Sequence, residues 1–314
     1  MNSSNMKKFL FKISFYIFGI IAVLLFLGTY ADGNTDDNYM HFTGPKPSNM
    51  ILGDSRGVQA VVPDILDQKF KDRKFSNFAF NIADSPYGKV YFEAIKKKID
   101  PDTKNGIFIL TVDPWNLSIN KDIKTEKEYA ENNSALADMH FYDVNPNYEY
   151  LFKHFSKTWF YIYRDREEVG KSNTFLHKNG WMEVTVNVHP DSIGKREVKK
   201  VKEYGDFAKT QKMSQYRLEA FENTIKYLKN KGSVYIVRIP GSKRIMDIEN
   251  SYSPDFSKRI DDIAKKNNVK FFDFSPKYND YIYTDGNHMY KESGKVFTSQ
   301  IADSISLNTS IRKN

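Results

Sequence analysis

The chain has 314 residues and no cysteine, which excludes disulfides, a thiolate metal site and a cysteine nucleophile. An apolar fraction of 40% with 15% aromatics belongs to a chain that buries a sizeable core. The formal net charge is +8, but the lysines are scattered among Asp and Glu with no Arg-rich stripe, so the charge reads as a solvated surface and not as a nucleic-acid footprint.

The elements follow in chain order. Lys7, Lys8 and Lys12 flank an uncharged apolar run over residues 13–31. With residues 9–11 added, the run reaches the ~20 residues that a membrane span needs. A basic amino-terminal flank keeps that end in the cytoplasm and exports the rest. Residues 1–8 therefore read as a cytoplasmic tail and residues 9–31 as a single-pass anchor in the cell membrane. A cleaved signal peptide is the rival reading; the length of the run and the poor cleavage site at Thr29-Tyr30-Ala31 argue against it. Residues 32–46, rich in Gly, Asn, Asp and Pro, read as a linker.

Beyond the linker, apolar strand-like runs alternate with helical spacing. Residues 49–52 form a short strand that ends in Gly-Asp-Ser, and residues 58–70 are helical with an interruption at Pro63. Residues 75–82 alternate as a strand, and residues 86–99 open a helix with Pro in the first turn. Residues 106–112 are a buried strand. After a long interruption come a helix over 214–228, a strand over 233–239 stopped by Pro240 and Gly241, and a helix over 256–264. A strand over 269–274 and a terminal helix over 292–305 follow. This alternation predicts an α/β fold: a flavodoxin-like, doubly wound, five-stranded parallel sheet whose sites lie at the carboxyl ends of the strands. The interruption, residues 117–212, is too long for an ordinary loop. It reads as a large insertion after strand three, lying over the active-site edge, with one strand over 181–189 and aromatics that suit a carbohydrate groove or a small subsidiary core.

Two short motifs carry chemistry. Gly53-Asp54-Ser55-Arg56 closes the first strand, and Asp285-Gly286-Asn287-His288 precedes the last helix. A serine hydroxyl needs a base to take its proton, and a histidine serves when a carboxylate fixes its tautomer. Ser55, Asp285 and His288 are the catalytic candidates. Helix capping is the bland role for Ser55, and a surface position for His288. Arg56 is a candidate for substrate anions, with a structural pairing to Asp54 favoured. Asp113 and Trp115 follow a buried strand and should face the same cleft, where Trp115 can stack on a sugar or pack in the core. His140, His154, His177 and His189 are too spread for a metal site, and nothing calls for a cofactor.

These motifs, in this order and on this element pattern, resemble the SGNH/GDSL hydrolase superfamily. More narrowly, the chain resembles the membrane-anchored members that modify cell-envelope polysaccharides. The resemblance covers residues 47–309. It implies a Ser-His-Asp mechanism and two oxyanion donors: a Gly after the second strand and an Asn in Gly-x-Asn-Asp after the third. This chain has Asn81-Ile82-Ala83-Asp84-Ser85 and Asp113-Pro114-Trp115-Asn116 there. A backbone N–H near Ala83 or Asp84, and the Asn116 amide, are the remaining oxyanion candidates.

The expected function is a membrane-anchored, extracytoplasmic serine esterase or O-acyltransferase. Its substrates are acyl esters, acetyl foremost, of an envelope carbohydrate. The alternative is a weakly active or inactive scaffold that binds a polysaccharide or an integral-membrane acyltransferase. A lipase acting on membrane lipid is a third, weaker idea that only the tether suggests.

Overall fold

A computed structural model describes residues 3–169 and 172–311 of the chain. The five strands of its central sheet are β1 (Asn49–Leu52), β2 (Phe75–Asn77), β3 (Gly106–Thr111), β4 (Gly232–Arg238) and β5 (Lys270–Asp273). All neighbours run parallel, in the order β2-β1-β3-β4-β5. The principal helices are α1 (Ser3–Gly28), α2 (Ser55–Ala60), α3 (Pro63–Lys69), α4 (Lys89–Lys98), α5 (Tyr148–Lys153), α6 (Phe160–Asp165), α7 (Pro190–Thr210), α8 (Gln215–Lys229), α9 (Lys243–Tyr252), α10 (Phe256–Lys266) and α11 (Lys291–Ile311).

The period of two along each strand divides the core. Met50, Leu52, Phe108, Leu110, Val234 and Ile236 pack on one face, against α4, α8 and α10. Ile51, Ile107, Ile109, Tyr235 and Val237 pack on the other, against α3 and α11. Both faces are apolar because both are covered, as a parallel sheet requires. The expected strands and helices differ from the structure mainly at their ends, whereas α7 and α9 answer to no expected element. The second strand stops at Asn77, although Phe78 and Phe80 still donate backbone hydrogen bonds to Ile51 and Gly53. The helix expected from Pro86 starts instead at Lys89, after Gly88.

Helix α1 is long and apolar enough to cross a membrane. The polar segment after it does not run free as a linker. Tyr39, Met40, His41 and Phe42 form a buried helical turn that packs with Phe78, Phe80 and Tyr142. Asp36 caps that turn through Asn38 N–H and Tyr39 N–H and also accepts from Tyr150 Oη. Polar composition alone reads as a linker; four large side chains inside it drive it into the core.

Residues 117–212 begin and end side by side, since Ser118–Asn120 pairs antiparallel with Gln211–Met213. The strand expected over 181–189 is reduced to Met182–Val184, paired with Thr174–Leu176. Pro190 then opens α7 at its first position, where a missing N–H costs nothing.

Candidate active site

The turn that carries Ser55 is built around Gly53. Its φ of +141° is a conformation that side chains rarely adopt, and an added Cβ would lie 1.8 Å from Thr111 Oγ1. Tyr91 Oη accepts the Gly53 N–H, and Ser85 Oγ donates to the Gly53 carbonyl. Asp54 caps α2 by accepting the Arg56 N–H. Ser55 is thus the first helical residue, half-buried at the carboxyl edge of the sheet.

The second loop returns to this edge after β5. Asp285 Oδ1 accepts the N–H groups of Asn287 and His288, each at 2.9 Å, which curls the loop back on itself. Asp285 Oδ2 lies 2.9 Å from His288 Nδ1, and His288 Nε2 lies 2.9 Å from Ser55 Oγ. Burial works to raise the Asp285 pKa, but the hydrogen bond and charge of His288 and the two backbone N–H groups outweigh it. They hold the carboxyl well below the usual carboxylate range. An ionised Asp285 makes Nδ1 the protonated nitrogen, so Nε2 is free to accept the Ser55 hydroxyl proton. Gly286, at φ +86°, turns the loop where Glu197 of α7 packs against it. Arg196 of α7 donates to the Thr284 carbonyl.

Beneath the pair lies a buried polar network. Arg56 does not pair with Asp54. Its guanidinium forms an ion pair with Glu249, sits 3.7 Å from Asp113 Oδ2 and donates to the Ile239 carbonyl. It also donates to Asn287 Oδ1 through Nε at 2.9 Å and Nη2 at 2.7 Å. That pins the Asn287 amide, whose Nδ2 then faces His288 Nε2 at 3.2 Å. Arg56 is 2% exposed, so it acts through Asn287 and has no route to a substrate anion. Burial raises the Asp54 pKa well above the ordinary carboxyl value, and the neighbouring Asp113 raises it further.

The remaining candidates are placed differently from expectation. Ala83 N–H and Asp84 N–H both donate to Asn81 Oδ1, so neither is free to meet an oxyanion. Asp84 accepts from the amides of Asn38 and Asn81. The Asn116 amide is buried and donates to Asp54 Oδ2. Asp113 is consumed in a turn, accepting the N–H groups of Trp115 and Asn116. Trp115 stacks on Tyr252, meets Tyr204 edge-on and donates through Nε1 to Glu249, so its ring is a core element. An open cleft of about 320 Å³ lies beside it, bordered by Ile82, Ala83, Ile119 and Tyr129.

Asn287 and Glu249 were not singled out by sequence. Asn287 lies inside the Asp-x-x-His motif, and a polar residue there was the available signal. Glu249 carried none: its partners Arg56, Trp115 and Arg238 lie 193, 134 and 11 positions away in the chain. Among the described residues, no cluster of His, Asp and Glu suits a metal ion. The chain matches no protein-family model and no curated protein.

Proposed function

We propose that this chain is a membrane-anchored serine esterase or O-acyltransferase of the SGNH/GDSL kind, with acyl esters of an envelope carbohydrate as substrates. The observation that carries the reading is the unbroken chain Ser55 Oγ–His288 Nε2 and His288 Nδ1–Asp285 Oδ2, both links at 2.9 Å. Ser55 Oγ attacks the acyl carbonyl carbon while His288 Nε2 takes its proton. The tetrahedral intermediate expels the alcohol, which receives that proton from His288. Water or a sugar hydroxyl then gives its proton to His288 and attacks the acyl-serine, and the second tetrahedral intermediate collapses to acid or new ester as His288 returns that proton to Ser55 Oγ. Oxyanion support is assigned to the Ser55 backbone N–H at the head of α2, since the Arg56 N–H is taken by Asp54.

The strand order, with helices on both faces, is read as flavodoxin-like and doubly wound, and residues 117–212 as an insertion beside the site. Helix α1 is read as a single-pass anchor with its basic end in the cytoplasm, which places the domain outside. The test is hydrolysis of an acetyl-ester reporter by the purified full chain. Wild type should turn over and Ser55→Ala should not; equal rates would end the nucleophile assignment.

One observation favours a second reading, a scaffold that binds a polysaccharide or a membrane acyltransferase without catalysis. The donors expected at Ala83, Asp84 and Asn116 are all engaged internally. A folded wild-type chain inert toward every acyl-ester reporter would support it.

A further inference from the structure

The anchor helix does not leave the domain on a free stem. Tyr148, at the head of α5, donates through its hydroxyl to the Leu25 carbonyl at 2.6 Å, inside the last turn of α1. A Cβ at Gly28 would lie 2.5 Å from the Tyr148 ring, so the helix and α5 touch along bare backbone. Tyr30 meets Tyr163 of α6 edge-on at 5.0 Å, and the Arg166 guanidinium lies 4.0 Å from the Tyr163 ring centre and 5.3 Å from that of Tyr30. Asp32 then accepts the Glu167 N–H, and the Gly33 carbonyl accepts the Leu176 N–H.

The position of this joint relative to a bilayer follows from counting. About 20 apolar residues cross the hydrocarbon. Counted from Phe9, just past Lys8, they reach Gly28; counted from Ile13, just past Lys12, they reach Asp32. On either count Leu25 lies within the hydrocarbon or at its outer boundary. Tyr148 must therefore lie at that level too, and so must the side of α5 that it occupies.

That side is apolar and uncovered. Phe152 is one turn on from Tyr148, on the same face, and is 62% exposed. Phe160 is one turn before Tyr163, on the face of α6 toward the anchor, and is 56% exposed. Trp159 packs on Phe152 with ring centres 4.8 Å apart. Lys157 stands exposed two residues before Trp159, and Lys153, next to Phe152, is exposed and paired with Glu149 at 2.9 Å. Aromatics with adjacent cations are the composition of a membrane-interface belt.

We infer that the surface formed by Phe152, Trp159 and Phe160 is immersed in the headgroup layer of the lipid around the anchor, which fixes the height and tilt of the domain over the membrane. This inference rests on the reading of α1 as a membrane anchor. Reconstitution of the full chain into phosphatidylcholine vesicles separates the two. Co-flotation tests the anchor. Quenching of tryptophan emission by lipids brominated near the headgroup end of their acyl chains tests the surface. Wild type should float and lose emission. Trp159→Phe should float and lose the quenchable part, because Trp115 and Trp181 are buried. Phe152→Glu with Phe160→Glu, both at exposed positions, should float with Trp159 no longer quenched. A chain that fails to float would overturn the anchor reading and this inference with it. A chain that floats while the emission lost by Trp159→Phe stays unquenched would overturn the inference alone, and would point to a protein partner on this surface.

Discussion

Glu249→Gln is expected to destabilise the protein far more than loss of a surface carboxylate does. Glu249 has no exposed surface. It forms an ion pair with Arg56 Nη2, lies 3.2 Å from Arg238 Nη2 and accepts from Trp115 Nε1 at 3.1 Å. Gln keeps the shape and one acceptor but removes the charge that two buried guanidiniums share. Breaking a buried pair by removing one partner costs about 3–5 kcal/mol. At ~2 °C per kcal/mol for a chain of this size, Tm should fall by roughly 6–10 °C. The comparison is Asp303→Asn, which breaks the exposed Lys69–Asp303 pair at 2.6 Å. Such pairs contribute about 0–1 kcal/mol, so Tm should move by no more than ~2 °C. Far-ultraviolet circular dichroism of the detergent-solubilised chain reads both. Below the transition, Glu249→Gln should also slow ester cleavage, because Arg56 positions Asn287 against His288. Equal Tm shifts for the two variants would refute the reasoning that Glu249 neutralises the buried cations.

Other outcomes follow from the same geometry. Asp285→Asn should leave Ser55 and His288 in place yet lower kcat by about 10⁴-fold, since the amide no longer fixes the Nδ1–H tautomer; a loss under tenfold in steady-state assays would contradict this. Asn287→Asp keeps an acceptor for Arg56 but sets a carboxylate where the amide N–H₂ faces His288 Nε2. The acid limb of the pH–rate profile should move to higher pH, because a nearby negative charge favours the imidazolium; an unmoved limb would remove Asn287 from the site. Lys98 is buried and donates to the carbonyls of Gly44 and Tyr142. Burial lowers its pKa to about 7, with Asp143 pulling the other way. Between pH 7 and its ordinary value of 10.5 the unfolded chain holds a proton that the folded chain does not, so stability should rise with pH across that window. Thermal melts of wild type from neutral to mildly alkaline pH should show the rise, and Lys98→Met should flatten it.

How much of this was legible in the sequence depends on where the information lies. The strands β1, β3, β4 and β5 are apolar runs bounded by breakers, so their existence could be read directly. The helix α8 announced itself through its Ser214 cap and the apolar spacing of Leu218, Phe221, Ile225 and Leu228. The 21-residue helix α7 was hidden, because ten of its residues are charged and Tyr204 is its buried side chain. Its signals were Pro190 at the first position and Val201, Tyr204 and Ala208 at helical spacing. The helix α9 carries Glu249 on its buried face beside Ile245 and Met246, yet Ile245, Ile248 and Tyr252 stand at helical spacing, so its signal was present in a short segment after Pro240 and Gly241. The meeting of Ser55, His288 and Asp285 was legible because each motif is local and the chain order places both loops at one sheet edge. The donors around it were not, since the N–H groups of Ala83 and Asp84, the Asn116 amide and Arg56 are committed by partners distant in sequence or by turns that only the folded backbone defines.

The most direct test of the central claim is the site of covalent capture. The folded full chain is treated with a fluorophosphonate and its peptides are weighed. The adduct should fall on Ser55, vanish in Ser55→Ala and form far more slowly in Asp285→Asn. An unlabelled wild-type chain beside a labelled control hydrolase, or an adduct on another serine, would contradict the assignment of Ser55 as the nucleophile.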